Sequence, residues 1–397
     1  MNATRWPSLT LIFGWRFSPE SRRAHERSFE RILEWESQNS TTATLVDDGH
    51  DDLLDLIEQC HRENEPQQIL IDVSPVMEPG ALTEFIFEAH EHDQLHYPIQ
   101  NVVTWIDGSR LFTQLQSGER LRDLGLAYDE FDDRSVSDLL LEQIESADLL
   151  YVQTENMSTD ELTRLREFLD WINPRALKIE DTEPKLADPQ TDRLFGPQGW
   201  RAARETLTYD DYENHSNTGW MMLLAGDHPR IANRLQPVAS GRFHSLNFRA
   251  RRPFHPDRFK ELARKLFELG MWRAKGWVWI ATRHGEAGLW SMAGASDLLM
   301  NSGAWLASTP LRHWPSDPEI RDEILADWEE PYGDRRQDIA LIGEAFNEME
   351  VRRLLKNALV TEEEFLLGPE AWQRWPDQLR DWSRDLDEDE QAPEDLH

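Results

Sequence analysis

Gly14, Pro19, Glu20 and Ser21 stand at the four fixed positions of a phosphate-binding loop, G-x-x-x-x-G-K-[ST]. The apolar run Leu9–Phe13 precedes them as a buried strand would, and a helical pattern follows from Ser21 to Glu36. The chemistry of such a loop is to aim backbone N–H groups and a Lys ammonium at the phosphates of a nucleotide. Here the first Gly and the final hydroxyl remain. Pro19 has no N–H to donate, and Glu20 repels a phosphate where Lys would attract it. The spacing therefore predicts a strand–loop–helix unit that has lost its phosphate chemistry.

Other residue types with chemical potential are weaker. His90, His92 and His96 cluster around Glu91 and Asp93, with His92 and His96 spaced i, i+4 as metal ligands on one helix face are. A polar helix end with solvated histidines is the reading this pattern favours. Cys60 and His61 are neighbours on a helical pattern, so their side chains point in different directions and make no nucleophile pair. Ser74 before Pro75 lacks the glycines of a nucleophile elbow. Between residues 242 and 283 there are eleven Lys or Arg against three acids, inside a chain of net charge −33. Arg249, Arg251, Arg252, Arg258, Lys260, Arg273 and Lys275 dominate this stretch, interleaved with Phe248, Phe254, Phe259 and Trp272. Such a surface suits a protein partner or RNA phosphates and bases. The alternative is that these cations meet acids of the N-terminal domain.

The elements that must position these residues follow from periodicity. Strand-like runs at Ile69–Val73, Val102–Ile106 and Asp148–Val152 alternate with helical patterns at Asp51–Cys60, Val136–Ser146 and Leu162–Trp171, the last with Ser158 and Glu161 as a capping box. That alternation predicts a mostly parallel α/β sheet over residues 1–182. Residues 183–239 read as a linker. Residues 240–366 read as a smaller α+β domain, with a helix over Asp257–Leu269 and strands at Trp277–Ile280 and Ile339–Ile342. Residues 367–397 read as an acidic tail that could cover the basic stretch. A single cysteine fits a reducing, cytoplasmic setting and excludes an internal disulfide. Neither a secretory signal nor a membrane span is expected from the apolar patterning.

The most specific sequence lies in the second domain. Arg251-Arg252-Pro253-Phe254-His255-Pro256, Arg258-Phe259 and Arg273-Ala274-Lys275-Gly276, with Ile339–Gly343 and Leu354-Leu355 further on, resemble the C-terminal domain of the CobW family of P-loop GTPases. The first half is similar to that family at Leu9–Phe13, Ile71–Pro79, Val103–Asp107 and Asn173-Pro174.

The resemblance implies a P-loop fold, GTP as cofactor, and delivery of zinc or cobalt to proteins. Position by position it also implies loss. The E-x-x-G segment reads Asp72-Val73-Ser74-Pro75, where Pro75 replaces the Gly that meets a γ-phosphate. The guanine-reading N-K-x-D reads Gln153-Thr154-Glu155-Asn156, without the carboxylate at Asn156. The C-x-C-C metal motif has no cysteine; Ala43-Thr44-Leu45-Val46 occupies its neighbourhood. The expectation is a non-catalytic adaptor in zinc homeostasis with neither GTP nor zinc as required cofactor. One form of it recruits a hibernation factor to the small ribosomal subunit when zinc is scarce. The alternative is a GTP-dependent metallochaperone with divergent motifs.

Overall fold

A computed structural model describes residues 7–16, 19–36, 41–46, 53–91, 98–128, 132–181, 218–226, 241–316, 321 and 325–379. The chain divides into two compact units, 1–114 with 139–219, and 115–138 with 220–397.

The first unit is built on six parallel strands: β1 (Ser8–Gly14), β2 (Thr42–Val46), β3 (Gln68–Asp72), β4 (Ile99–Asp107), β5 (Leu149–Gln153) and β6 (Leu177–Asp181), in the order β2-β3-β1-β4-β5-β6. Helices α1 (Pro19–Glu36), α2 (Leu53–Asn64), α3 (Pro79–Glu91) and α4 (Thr159–Ile172) alternate with them. β1 shows why its sequence is apolar throughout. Leu9, Leu11 and Phe13 enter one core with Ile57, Ile71 and Ile86, while Ile12 enters a second with Leu70, Val103 and Trp105. A strand buried on both faces has no polar side to display. Thr10, also fully buried, accepts a hydrogen bond from Gln68 Nε2 at 2.9 Å.

Because β1 lies between β3 and β4, the chain passes over it on the way from one half of the sheet to the other. The carboxyl ends of β1, β3 and β4 are thus the crevice where open α/β sheets take ligands.

The capping box forms as its sequence requires: Ser158 accepts from the Glu161 amide, and the Glu161 carboxylate accepts from the Ser158 amide at 2.8 Å. Asn173 is fully buried and donates from Nδ2 to the carbonyls of Ile144, Glu145 and Ala147 at 2.8–3.1 Å. Its Oδ1 accepts from the Arg175 and Ala176 amides. One side chain thereby ties the end of α4 to the entry of β5.

The second unit carries an antiparallel sheet of β7 (Phe243–Ala250), β8 (Met271–Val278), β9 (Glu286–Ala293), β10 (Ser296–Ala304) and β11 (Gln337–Glu344), ordered β10-β9-β8-β11-β7. The R-A-K-G residues lie inside β8, not ahead of a short strand at Trp277, and β9 and β10 extend the sheet beyond what the sequence pattern indicated. Gly276 is required there because a Cβ would stand 2.1 Å from the Asp338 carbonyl oxygen of neighbouring β11. The helix expected over Asp257–Leu269 is two helices, Pro256–Lys260 and Leu262–Glu268, separated at Glu261.

Segment 115–138 groups with this unit, so the division is not a single cut near residue 182. The folded chain also continues past residue 366: Trp372 is buried against Trp279, with ring centroids 6.2 Å apart. Within the span read as a linker, the helix Gly219–Ala225 is described and Leu223 is buried. Among the described residues no helix is long and apolar enough to cross a membrane.

Candidate functional site

At the carboxyl ends of β1 and β3 the side chain of Arg16 turns into the protein. It is 9% exposed, and its guanidinium lies 2.7 Å from the Asp72 carboxylate. It also donates to the Val73 carbonyl at 2.8 Å and to the Gly14 carbonyl at 3.3 Å. His25, on the buried face of α1, brings Nε2 to 3.5 Å from the same Asp72 oxygen and packs edge-on against Trp105 at 5.5 Å. The loop that would wrap a phosphate instead delivers a fixed cation to the acid at the end of β3.

Burial sets the electrostatics. It pushes the Asp72 carboxyl up to about 6 although Arg16 pulls the other way. It pushes His25 down to about 3, with the Arg16 charge adding to the effect. Arg16 itself is held below the ordinary guanidinium value by burial, against the pull of Asp72. Near neutral pH the cluster is therefore an Arg16–Asp72 ion pair beside a neutral imidazole.

The other loop positions are equally committed. A Cβ at Gly14 would stand 2.8 Å from the Trp105 carbonyl oxygen, so this glycine is explained by the close approach of β1 to β4 without reference to phosphate. Ser21 is buried and donates to Asp107 Oδ2 at 3.2 Å. Glu20 is exposed, with the Arg110 guanidinium 3.5 Å away. Trp15, next to Gly14 in the same loop, is buried at 8% exposure. The Pro75 carbonyl accepts from the fully buried Gln143 Nε2 at 3.1 Å. Asn156 occupies a left-handed position after β5 with φ of 66°, a conformation Asn tolerates better than most residues. The residues present do not fit a magnesium nucleotide: the hydroxyl serves Asp107, the acid of β3 serves Arg16, and the position of the phosphate Lys holds a carboxylate.

The metal candidates divide. His90 lies on α3, while His92 and His96 fall outside the described residues. Among the described residues no group of three metal-ligating side chains comes together. Cys60 is buried, and burial raises its thiol above the ordinary value.

The basic stretch is largely engaged within its own unit. Arg249 pairs with Asp338 at 2.7 Å, Arg251 with Glu329 at 3.2 Å, and Arg258 with Glu364 at 2.5 Å. Lys260 donates to Gln378 Oε1 at 2.9 Å, and Lys275 lies 5.5 Å above the Trp220 ring. Arg273 is 1% exposed and donates to Ser291 Oγ at 2.8 Å, so the expectation that it contacts a partner fails on burial. Arg252 makes no hydrogen bond or ion pair through its side chain among the described residues. The motif's remaining residues are structural. Phe254 is fully buried in the core, and His255 caps the helix Pro256–Lys260, accepting from the Asp257 amide and stacking on Trp375 at 4.8 Å.

Sequence reasoning found the altered loop but missed Arg16 as its occupant. The available signal was charge: an arginine two residues past β1 facing an acid at the end of its neighbour β3.

The parallel α/β sheet, whose first loop has P-loop spacing, is followed in the chain by a five-stranded antiparallel sheet whose domain carries R-R-P-F-H-P. Residues 243–359 match the cobalamin synthesis protein cobW C-terminal domain. The second unit thus carries the CobW C-terminal domain. It is 29% identical over 378 residues to the zinc-regulated GTPase metalloprotein activator 1 of Dictyostelium discoideum, covering 93% of this chain and 74% of that protein. It is 26% identical over 349 residues to a zinc chaperone of Mycobacterium tuberculosis, covering 84% and 77%. Among solved structures, Zn(II)-bound YjiA GTPase from E. coli is similar over 89% of this chain and 99% of that one, at 14% identity and a TM-score of 0.34.

Proposed function

We propose that this chain is a non-catalytic member of the zinc-related GTPase metallochaperone family, an adaptor in zinc homeostasis that acts through partner contacts and not through GTP turnover. The Arg16–Asp72 ion pair carries this reading. A cation buried against the acid at the end of β3, beside an imidazole kept neutral, leaves the strand-end crevice occupied by the protein's own groups. Opening it for a nucleotide would separate a buried pair, a cost of about 3–5 kcal/mol, before any phosphate contact formed. Pro19, Glu20 and Asn156 then offer a nucleotide little in return. Recruitment of a hibernation factor to the small ribosomal subunit during zinc limitation is one form of such a role. Co-sedimentation with those subunits from zinc-starved cells is its expected signature.

The second reading is a GTP-dependent zinc or cobalt metallochaperone with divergent motifs. The names of the relatives favour it, as does the survival of Ser21 beside Asp107. Steady-state hydrolysis of magnesium GTP, with and without zinc, separates the two. The adaptor reading expects no turnover above the buffer rate. Turnover that depends on magnesium and disappears in Ser21→Ala would establish the metallochaperone reading instead.

A further inference from the structure

A cleft of about 420 Å³ lies in the second unit where the end of β7 meets the helix Glu348–Ala358. Four cations line it, Arg249, Arg251, Arg252 and Lys356, with Tyr332 and the buried Phe248 supplying aromatic surface, and no Asp or Glu is among the lining residues. In a chain with 75 acids and 42 Lys or Arg, a cleft lined by cations alone runs against the average.

Two of the cations are already balanced, Arg249 by Asp338 and Arg251 by Glu329. These pairs, with donation from Arg251 to the Gly333 and Arg335 carbonyls, fix the walls. Arg252 and Lys356 are different. Neither side chain makes a hydrogen bond or ion pair among the described residues, so two unneutralised donors share one concave site with an apolar surface. A planar guanidinium and an ammonium are the usual donors for phosphate oxygens, and both line this one cleft. The volume falls in the range of small-molecule sites and suits a ligand of mononucleotide size.

We propose that this cleft binds the terminal phosphate or diphosphate of a small phosphorylated molecule, with Arg252 and Lys356 as the phosphate donors and Tyr332 beside the organic portion. The site is separate from the strand-end crevice of the first unit, and the proposal does not rest on how that crevice is read.

Titration calorimetry of the full chain with pyrophosphate at low ionic strength tests it. One-site binding is expected, weakened at least about tenfold in the Arg252→Gln/Lys356→Gln double variant, since each lost charged contact is worth a factor of several or more. Arg264→Gln, which removes a cation engaged with Glu261 and Glu268, should change affinity by less than about twofold. Arg16→Met should leave pyrophosphate binding intact. Absence of binding, equal weakening by Arg264→Gln, or loss with Arg16→Met would each overturn the assignment. A uridine octamer without terminal phosphates is the remaining arm. Tighter binding of that strand than of pyrophosphate, through the same two residues, would overturn the small-ligand assignment in favour of a nucleic-acid backbone.

Discussion

Arg16→Met keeps an unbranched stem in place and removes the counter-charge of Asp72. Its cost follows from two contributions. With Arg16 present the Asp72 carboxyl titrates at about 6 in the fold. Without the guanidinium it is buried and uncompensated, and near pH 7.5 it escapes by taking up a proton. Driving that protonation from about 6 to 7.5 costs ~2 kcal/mol at 1.36 kcal/mol per unit. The hydrogen bonds to the Val73 and Gly14 carbonyls contribute a further ~1 kcal/mol. The expected loss is thus about 3 kcal/mol near pH 7.5. Near pH 5 Asp72 is already mostly protonated in the parent protein, so the loss should fall to about 1 kcal/mol or less. Native-state hydrogen exchange at the amides of β1 and β3 reads this in the first unit without assuming that both units unfold together. A loss independent of pH, or below ~0.5 kcal/mol at pH 7.5, would refute the buried-pair reasoning.

Three further outcomes follow from other residues. His25 has a folded value near 3 against an ordinary 6.5, so its contribution is complete above 6.5 and is lost as pH falls toward 3. His25→Phe should therefore gain on the parent by up to ~1.4 kcal/mol per pH unit below 6.5, measured by urea unfolding between about pH 7 and 4.5; a constant difference would contradict the buried neutral imidazole. Asn173→Ala should destabilise the first unit by about 3 kcal/mol, because three carbonyls and two amides lose a buried partner; exchange at β5 amides would report it. Gly276→Ala forces a Cβ onto the Asp338 carbonyl and should cost at least ~3 kcal/mol in the second unit, seen as a lowered thermal transition. An unshifted transition would show that β8 and β11 can part.

Much of this was legible in the sequence. β1 was readable because both faces are buried, which leaves Leu9–Phe13 an unbroken apolar run. The Ser158–Glu161 capping box was readable because its partners are three residues apart. β9 and β10 were not, since Glu286, Ser291, Ser296, Asn301 and Ser302 interrupt any alternation in strands whose exposure varies along their length. The assignment of 115–138 to the second unit was invisible because it rests on contacts remote in sequence, such as the Ala295 amide donating to the Leu115 carbonyl at 3.1 Å. At the site, the lost motif positions could be counted residue by residue. The filling of the cleft could not, because the pairing of Arg16 with Asp72 spans a separation of 56 positions and requires the register of β1 on β3. The engagement of Arg249, Arg251 and Arg258 by acids of their own unit was hidden for the same reason.

Nucleotide binding by the first unit is what separates an adaptor from a GTP-dependent protein. Titration calorimetry of magnesium GTP into the full chain carrying Arg252→Gln/Lys356→Gln reads that crevice after the phosphate donors of the second unit are removed. No binding heat up to millimolar GTP is the predicted result. A micromolar dissociation constant that requires magnesium and is lost in Ser21→Ala would contradict the account.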